Sequence, residues 1–154
     1  MNVRTRPRAS TGISRRHGLR HRMNTWAGGL IVLYGSAHTI GAFAGLGAAR
    51  HANTWVTGQL WADDLANMSP AMSAYWLTVN SFAPPLIVLG ATVLWLDRRD
   101  ITPPPFIAWM LAVWVVVDTL LSGPGVGQWL IILAAAGLLF AAAHGADDRE
   151  RIAA

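Results

Sequence analysis

One histidine and one aspartate lie inside long apolar stretches of this chain. His38 stands in the uncharged run from Met23 to Gly47. Asp118 stands near the end of another apolar run, Phe106 to Leu121. Ionisable residues are rare in such spans and indicate either a site or a contact between helices. Because a His–Asp pair can exchange a proton, these two residues are the first candidates for chemistry.

Two amide side chains, Asn80 and Gln128, are predicted to lie at a similar depth to His38 and Asp118. Counting residues at about 1.5 Å of rise puts His38 roughly 10 Å and Asp118 roughly 6 Å below the same end of their helices. Asn80 and Gln128 fall near that end of two further apolar runs. We therefore predict a polar layer of His38, Asn80, Asp118 and Gln128. Two interpretations stay open: the layer holds the helices in register, or it lines a small pocket in which His38 reaches Asp118 directly or through water.

Several other chemistries are excluded by the residue types. The chain has no cysteine, so disulfides, thiolate metal sites and cysteine nucleophiles cannot occur. A two-histidine haem site needs a second histidine at the depth of His38, and neither His51 nor His144 is at that depth. His38 and Asp118 alone supply too few ligands for a metal ion. We expect neither a metal nor a cofactor, and favour a protein that is not an enzyme.

The composition is that of a membrane protein. Of the 154 residues, 53% are hydrophobic and only 13% are charged, against about 25% in soluble domains. The pI near 11 invites a nucleic-acid function. However, seven of the twelve arginines precede Met23, so the charge describes an arm that suits anionic lipid headgroups. We expect the lipid bilayer as partner and no nucleic acid.

Four apolar runs predict the architecture. We expect an all-α protein, a four-helix transmembrane bundle with helices at about 24–45, 72–96, 105–121 and 127–144, a span of about 20 residues being enough to cross a bilayer. The transmembrane domain covers 23–144 and is followed by a polar tail, 145–154. Short connections predict antiparallel neighbours along the chain.

Residues 1–22 are predicted to be a disordered basic arm, because they contain no large apolar cluster. Two alternatives stay open. Met23 is a second possible start of the protein. In addition, the segment Ser14 to Arg20 is similar to a twin-arginine export signal, which would make the following apolar run part of a signal peptide.

Local features refine the spans. Pro84 and Pro85 lie inside the second run and predict a kink, since each removes an N–H and clashes with an earlier carbonyl. Small residues at four-residue spacing, Ala37, Gly41 and Gly45, predict close packing of the first helix against another helix of this chain or of a second copy. The polar stretch 46–71 is either a short helix in the membrane interface or a loop.

Arginine placement predicts the orientation. The arm has seven arginines, the 97–100 turn has two and the tail has two, while the 46–71 segment has one and the 122–127 turn has none. The positive-inside rule then places both termini in the cytoplasm and the protein in the inner (cytoplasmic) membrane, with multiple passes.

Short motifs add a resemblance to a family. They are Trp26-Ala27-Gly28, Gly35-Ser36-Ala37-His38-Thr39, Tyr75-Trp76, Leu94 to Arg99, and Ser122-Gly123 with Gln128-Trp129. With these, residues 23–144 resemble a bacterial family of small four-helix membrane proteins of unknown function, broadly DoxX-like in layout. The resemblance implies a fold and a membrane location but no activity.

We therefore expect a non-enzymatic bundle that binds a small ligand, a lipid or a membrane subunit, with homo-oligomerisation as an open alternative. The rival hypothesis is an accessory subunit or enzyme in membrane redox or proton chemistry that uses His38 and Asp118.

Overall fold

The computed structural model of this chain is all-helical, with no β-strand among the residues that it describes, as the sequence predicts. It describes the backbone of residues 11–123 and 128–153, and the side chains of residues 18–123 and 129–144. The helices in these ranges are α1 Thr11–Ile40, α2 Ala52–Val56, α3 Pro70–Leu77, α4 Ala83–Arg98, α5 Pro105–Ser122 and α6 Gln128–Ala153. Most of the predicted 122–127 turn and the side chain of Gln128 lie outside the described residues.

The first helix is longer than predicted. It begins at Thr11, so residues 11–22 are helical, whereas their composition predicts a disordered arm over 1–22. The last residues of this extension contact the end of α4 and the segment that follows it. Arg20 Nη1 donates to Thr102 Oγ1 at 3.0 Å, and His21 Nδ1 lies 2.6 Å from Asp97 Oδ2. Likewise α6 continues to Ala153, through the predicted tail at 145–154.

The second predicted span is two helices and not one kinked helix. Thr78 leaves the helical region with φ −116° and ψ −84°, and α4 begins only at Ala83. The Ser81 hydroxyl accepts the Ala83 N–H at 3.2 Å. Pro84 and Pro85 then occupy the first turn of α4, where an N–H has no acceptor within the helix. The prolines therefore start a helix, and the predicted kink is a complete break.

The segment before α3 consists of short helical pieces. The 3-10 turns Ala48–His51 and Gln59–Ala62 flank α2. The Trp55 indole donates to the Ala71 carbonyl at 2.9 Å, which holds the segment against the start of α3. Ser69 caps α3 by accepting the Met72 N–H at 3.1 Å, the usual role of serine before a helix.

The four long helices lie side by side in the order α4, α1, α6, α5. Thus α4 and α5, although consecutive in the chain, do not pack closely, and the prediction that they are antiparallel neighbours is wrong. The core is formed by apolar residues of all four helices, among them Ile31, Val93, Leu111 and Ile132. The opening left between α4 and α5 matters for the site described below.

Two described helical segments, Gly18–Gly45 and Pro105–Ser122, are long and apolar enough to cross a membrane by length and composition. A shorter apolar helix covers Trp129–His144.

Candidate functional site

The break between α3 and α4 explains the position of His38. Where α3 ends, the carbonyl of Leu77 has lost its helical partner. His38 Nε2 lies 3.1 Å from this carbonyl oxygen, so the imidazole N–H donates to it. The His38 ring also packs against Phe82, with ring centroids 4.4 Å apart. His38 therefore supplies the hydrogen bond that the broken helix lacks.

Phe82, the residue before α4, contacts aromatic side chains of both α1 and α5. Its ring is stacked on Tyr34 of α1 at 5.7 Å between centroids, with 14° between the planes. On α5, Trp114 lies 5.5 Å away at 51°. Tyr34, Phe82 and Trp114 thus form a continuous aromatic wall.

A cavity of about 340 Å³ lies beside this wall. We call it the aromatic cavity; it is lined by Tyr34, Phe82, Trp114, Val115, Asp118, Ser122 and Ile132. Trp114, Asp118 and Ser122 come from successive turns of α5 and therefore share one face of it. Ser122 donates to the backbone carbonyl of Asp118 at 2.7 Å, which leaves the Asp118 carboxyl group available to the cavity.

A second cavity adjoins the first. This apolar groove, of about 410 Å³, lies between α4 and α5 and is lined by Phe82, Pro85, Leu86, Leu89, Phe106, Ile107, Met110, Leu111 and Trp114. Phe82 and Trp114 belong to both cavities. Phe106 is 59% exposed and Met110 is 67% exposed, so the groove opens to the surface of the protein. The groove is thus lined by apolar side chains, and the neighbouring aromatic cavity has a carboxyl group in its wall.

The predicted polar layer is brought together only in part. No hydrogen bond or ion pair joins His38 to Asp118 among the described side chains, so the predicted direct pair is not formed; bridging by water stays a prediction. The two residues share Phe82 as a neighbour. Asn80 is exposed and does not line the aromatic cavity. The side chain of Gln128 is outside the described residues.

Close helix packing uses other glycines than those predicted. Ala37, Gly41 and Gly45 are exposed, and a Cβ at either glycine would meet nothing within 4 Å. Packing there against a second copy stays a prediction. Instead, Gly28 of α1 and Gly90 of α4 face each other, and a Cβ on Gly90 would lie 2.8 Å from the Gly28 carbonyl oxygen.

A polar cluster at the end of the helices opposite His38 was not predicted from the sequence. Asp97 is 5% exposed and accepts hydrogen bonds from Asn24 Nδ2 at 3.2 Å and Thr25 Oγ1 at 3.1 Å. Together with His21 these groups join the start of α1 to the end of α4. Counting residues from the ends of the first two apolar runs that lie opposite the predicted polar layer, applied to Asn24 and Asp97, could have indicated this cluster.

The residues present limit the chemistry. Among the described side chains, no group of three or more histidine, aspartate or glutamate residues converges to hold a metal ion. Among the described side chains that line the aromatic cavity, the polar groups are the Asp118 carboxyl group, the hydroxyl groups of Tyr34 and Ser122, and the indole N–H of Trp114.

Comparisons with known proteins leave the family open. No protein-family model matches this sequence. Neither the curated proteins nor the solved structures gave a match. The DoxX-like resemblance therefore stays a prediction.

Proposed function

We propose that this chain is a multi-pass protein of the inner (cytoplasmic) membrane that spans it as a four-helix bundle of α1, α4, α5 and α6, with both termini in the cytoplasm. The two segments long and apolar enough to cross a bilayer support this proposal. So do the arginine positions, which place the basic segments on one side.

The distribution of exposed and buried side chains supports the membrane location independently. Large apolar side chains face outward along the long helices, with Leu120 78% and Leu121 84% exposed. At the same time Asn24, Thr78 and Asp97 are buried. Soluble monomers rarely expose apolar patches of more than a few hundred Å². A lipid environment accounts for this arrangement because it removes the cost of exposing apolar side chains.

Within the membrane we propose a non-enzymatic role, the binding of one amphipathic small molecule. The observation that carries this proposal is that the two cavities are neighbours, because Phe82 and Trp114 belong to the walls of both. An apolar chain fits the groove between α4 and α5, and a polar end fits the aromatic cavity beside Asp118. Both volumes lie at the lower end of the range of ligand pockets, about 300–1,000 Å³.

The rival hypothesis of redox or proton chemistry depended on a pair of His38 and Asp118. Its support is reduced because the His38 N–H is already used by the Leu77 carbonyl. An absorbance spectrum of the purified protein separates the two hypotheses, since redox work requires a bound chromophore. We expect no absorbance beyond that of the aromatic residues.

The binding proposal can be tested by filling the groove. Met110→Trp places an indole in the groove at a largely exposed position, so it should fold normally. Val113→Trp is the matched control, because Val113 is 57% exposed on the same helix and does not line the groove. A native mass spectrum from mild detergent should show a retained small molecule on the wild-type protein and on Val113→Trp, and little on Met110→Trp.

Two results would contradict the proposal. One is a wild-type protein that retains no small molecule even after incubation with membrane lipid. The other is equal retention by the two variants, which would place the bound molecule outside the groove.

A further inference from the structure

The aromatic cavity has an unbalanced charge. Asp118 is the only charged residue that lines it among the described side chains, and no arginine or histidine is part of its wall. No described residue donates a hydrogen bond to its carboxyl group, since Ser122 donates to the backbone carbonyl instead. A carboxylate at this position would repel an anionic headgroup and attract a cationic one.

The aromatic wall favours the same sign of charge. The faces of aromatic rings carry partial negative charge, so they attract ammonium groups, and tryptophan does so most strongly. Trp114 is one helical turn from Asp118, and Phe82 connects Trp114 to Tyr34 through contacts of 5.5 and 5.7 Å. Three rings and one acidic side chain around one space form the kind of site that binds organic ammonium groups.

We propose that the amphipathic ligand is a cation: an amine or quaternary ammonium group bound in the aromatic cavity by Asp118, Tyr34 and Trp114, carrying an apolar chain that lies in the groove. This inference rests on the proposed function, because it names the chemical class of the molecule that the two cavities bind. The shared residues, Phe82 and Trp114, mark the point where the headgroup meets the chain.

The test compares two probes of equal chain length. Radiolabelled tetradecyltrimethylammonium and tetradecan-1-ol are bound to the full chain in nanodiscs of digalactosyldiacylglycerol, an uncharged lipid without an amine. Binding to empty nanodiscs is subtracted. The cation should bind about tenfold more tightly than the alcohol, the size expected for one desolvated cation–aromatic or charge-assisted contact.

Three variants locate the effect. Asp118→Asn removes the charge at constant size and should lower the affinity for the cation towards that for the alcohol, while the aromatic rings keep part of the preference. Asp64→Asn is the matched control, because Asp64 is an exposed acid outside both cavities, and should change neither affinity. Met110→Trp should weaken the binding of both probes, because it fills the groove.

The outcomes distinguish this inference from the proposed function. Equal affinity of the wild-type protein for the two probes overturns the cation inference, and this comparison needs no variant to fold. Unchanged affinity of Asp118→Asn for the cation overturns it as well. If Met110→Trp nevertheless weakens both probes, binding of an amphipathic molecule stands without charge selection. If neither probe binds saturably to the wild-type protein, both proposals fail.

Discussion

At the scale of single residues, the His38 imidazole supplies a donor where α3 ends among apolar side chains. If the break lies within the membrane, as we propose, a carbonyl group freed by it has no water to bind and needs a partner in the protein. The Leu77 carbonyl finds it in His38 Nε2 at 3.1 Å. Two hydroxyl groups satisfy other carbonyls at the break. The Thr78 hydroxyl donates to the Ala74 carbonyl, and the Ser81 hydroxyl donates to the Thr78 carbonyl.

We expect His38→Ala to lower the free energy of unfolding by about 1–3 kcal/mol, because it leaves the Leu77 carbonyl without a donor. Thermal unfolding in mild detergent measures the loss. His51→Ala is the control, since the hydrogen bond described for its side chain is an exposed one from the adjacent Arg50, so this substitution should change stability by less than about 0.5 kcal/mol.

The double variant His38→Ala with Asp118→Asn extends this experiment. Because the two side chains share no hydrogen bond, their effects on stability should add to within about 0.5 kcal/mol. Strong non-additivity would instead indicate that the two side chains are coupled through water, as the sequence predicts.

At the scale of elements, the contact between α1 and α4 depends on glycines whose backbones approach each other. A Cβ on Gly90 would lie 2.8 Å from the Gly28 carbonyl oxygen and 2.9 Å from the Val32 backbone nitrogen. Both obstacles are backbone atoms, which cannot move aside as a flexible side chain can. The same approach recurs further along α1, where a Cβ on Gly35 would meet the Ala83 carbonyl oxygen at 2.9 Å.

Gly90→Ala should therefore force α4 away from α1 and cost about 1–3 kcal/mol, as overpacking usually does. Gly29→Ala is the matched control within α1, because nothing lies within 4 Å of its Cβ position. Alanine is the better helix former by about 1 kcal/mol, so Gly29→Ala should be neutral or stabilising. Thermal unfolding measures the stability of both variants. A change of stability in the same direction for both would refute the glycine contact.

At the scale of the whole molecule, the long helices lie in the order α4, α1, α6, α5. Because α4 and α5 stand at the two ends of this order, they do not pack closely and the groove lies between them. The only aromatic contact described between α4 or its preceding loop and α5 is that of Phe82 with Trp114. A chain-like ligand would complete the packing there. The same order puts α1 in the centre, where it contacts both α4 and α6.

A further prediction about the whole molecule concerns its orientation in the membrane. Reporter fusions at Ala154 and within residues 50–68 should report opposite sides of the membrane, with the carboxyl terminus in the cytoplasm, because arginines cluster in the segments assigned to that side. A fusion inserted after Asp100, beyond the buried Asp97, serves as the control and should agree with the one at Ala154. Finding Ala154 and the 50–68 segment on the same side would contradict the four-span arrangement.

The sequence by itself determined the helical class of the protein, because long apolar runs between proline- and glycine-rich turns leave few alternatives. It also indicated the residues with chemical potential: Asp118 lines a cavity in the structure, and His38 makes a specific hydrogen bond. Both stood out because ionisable groups are expensive in apolar surroundings.

Only the tertiary structure decided which residues meet. Helices that are apolar on all sides give no amphipathic stripe to show which face meets which neighbour, so neither the order of the helices nor the Gly28–Gly90 contact was predicted. The double proline is compatible with either a kink within one helix or the start of a new helix. The hydrogen bonds of Thr78 and Ser81 stabilise the break between two helices. Asp97 reads as part of a charged turn in the sequence, and it is buried because α1 extends far enough to bring Asn24 against it.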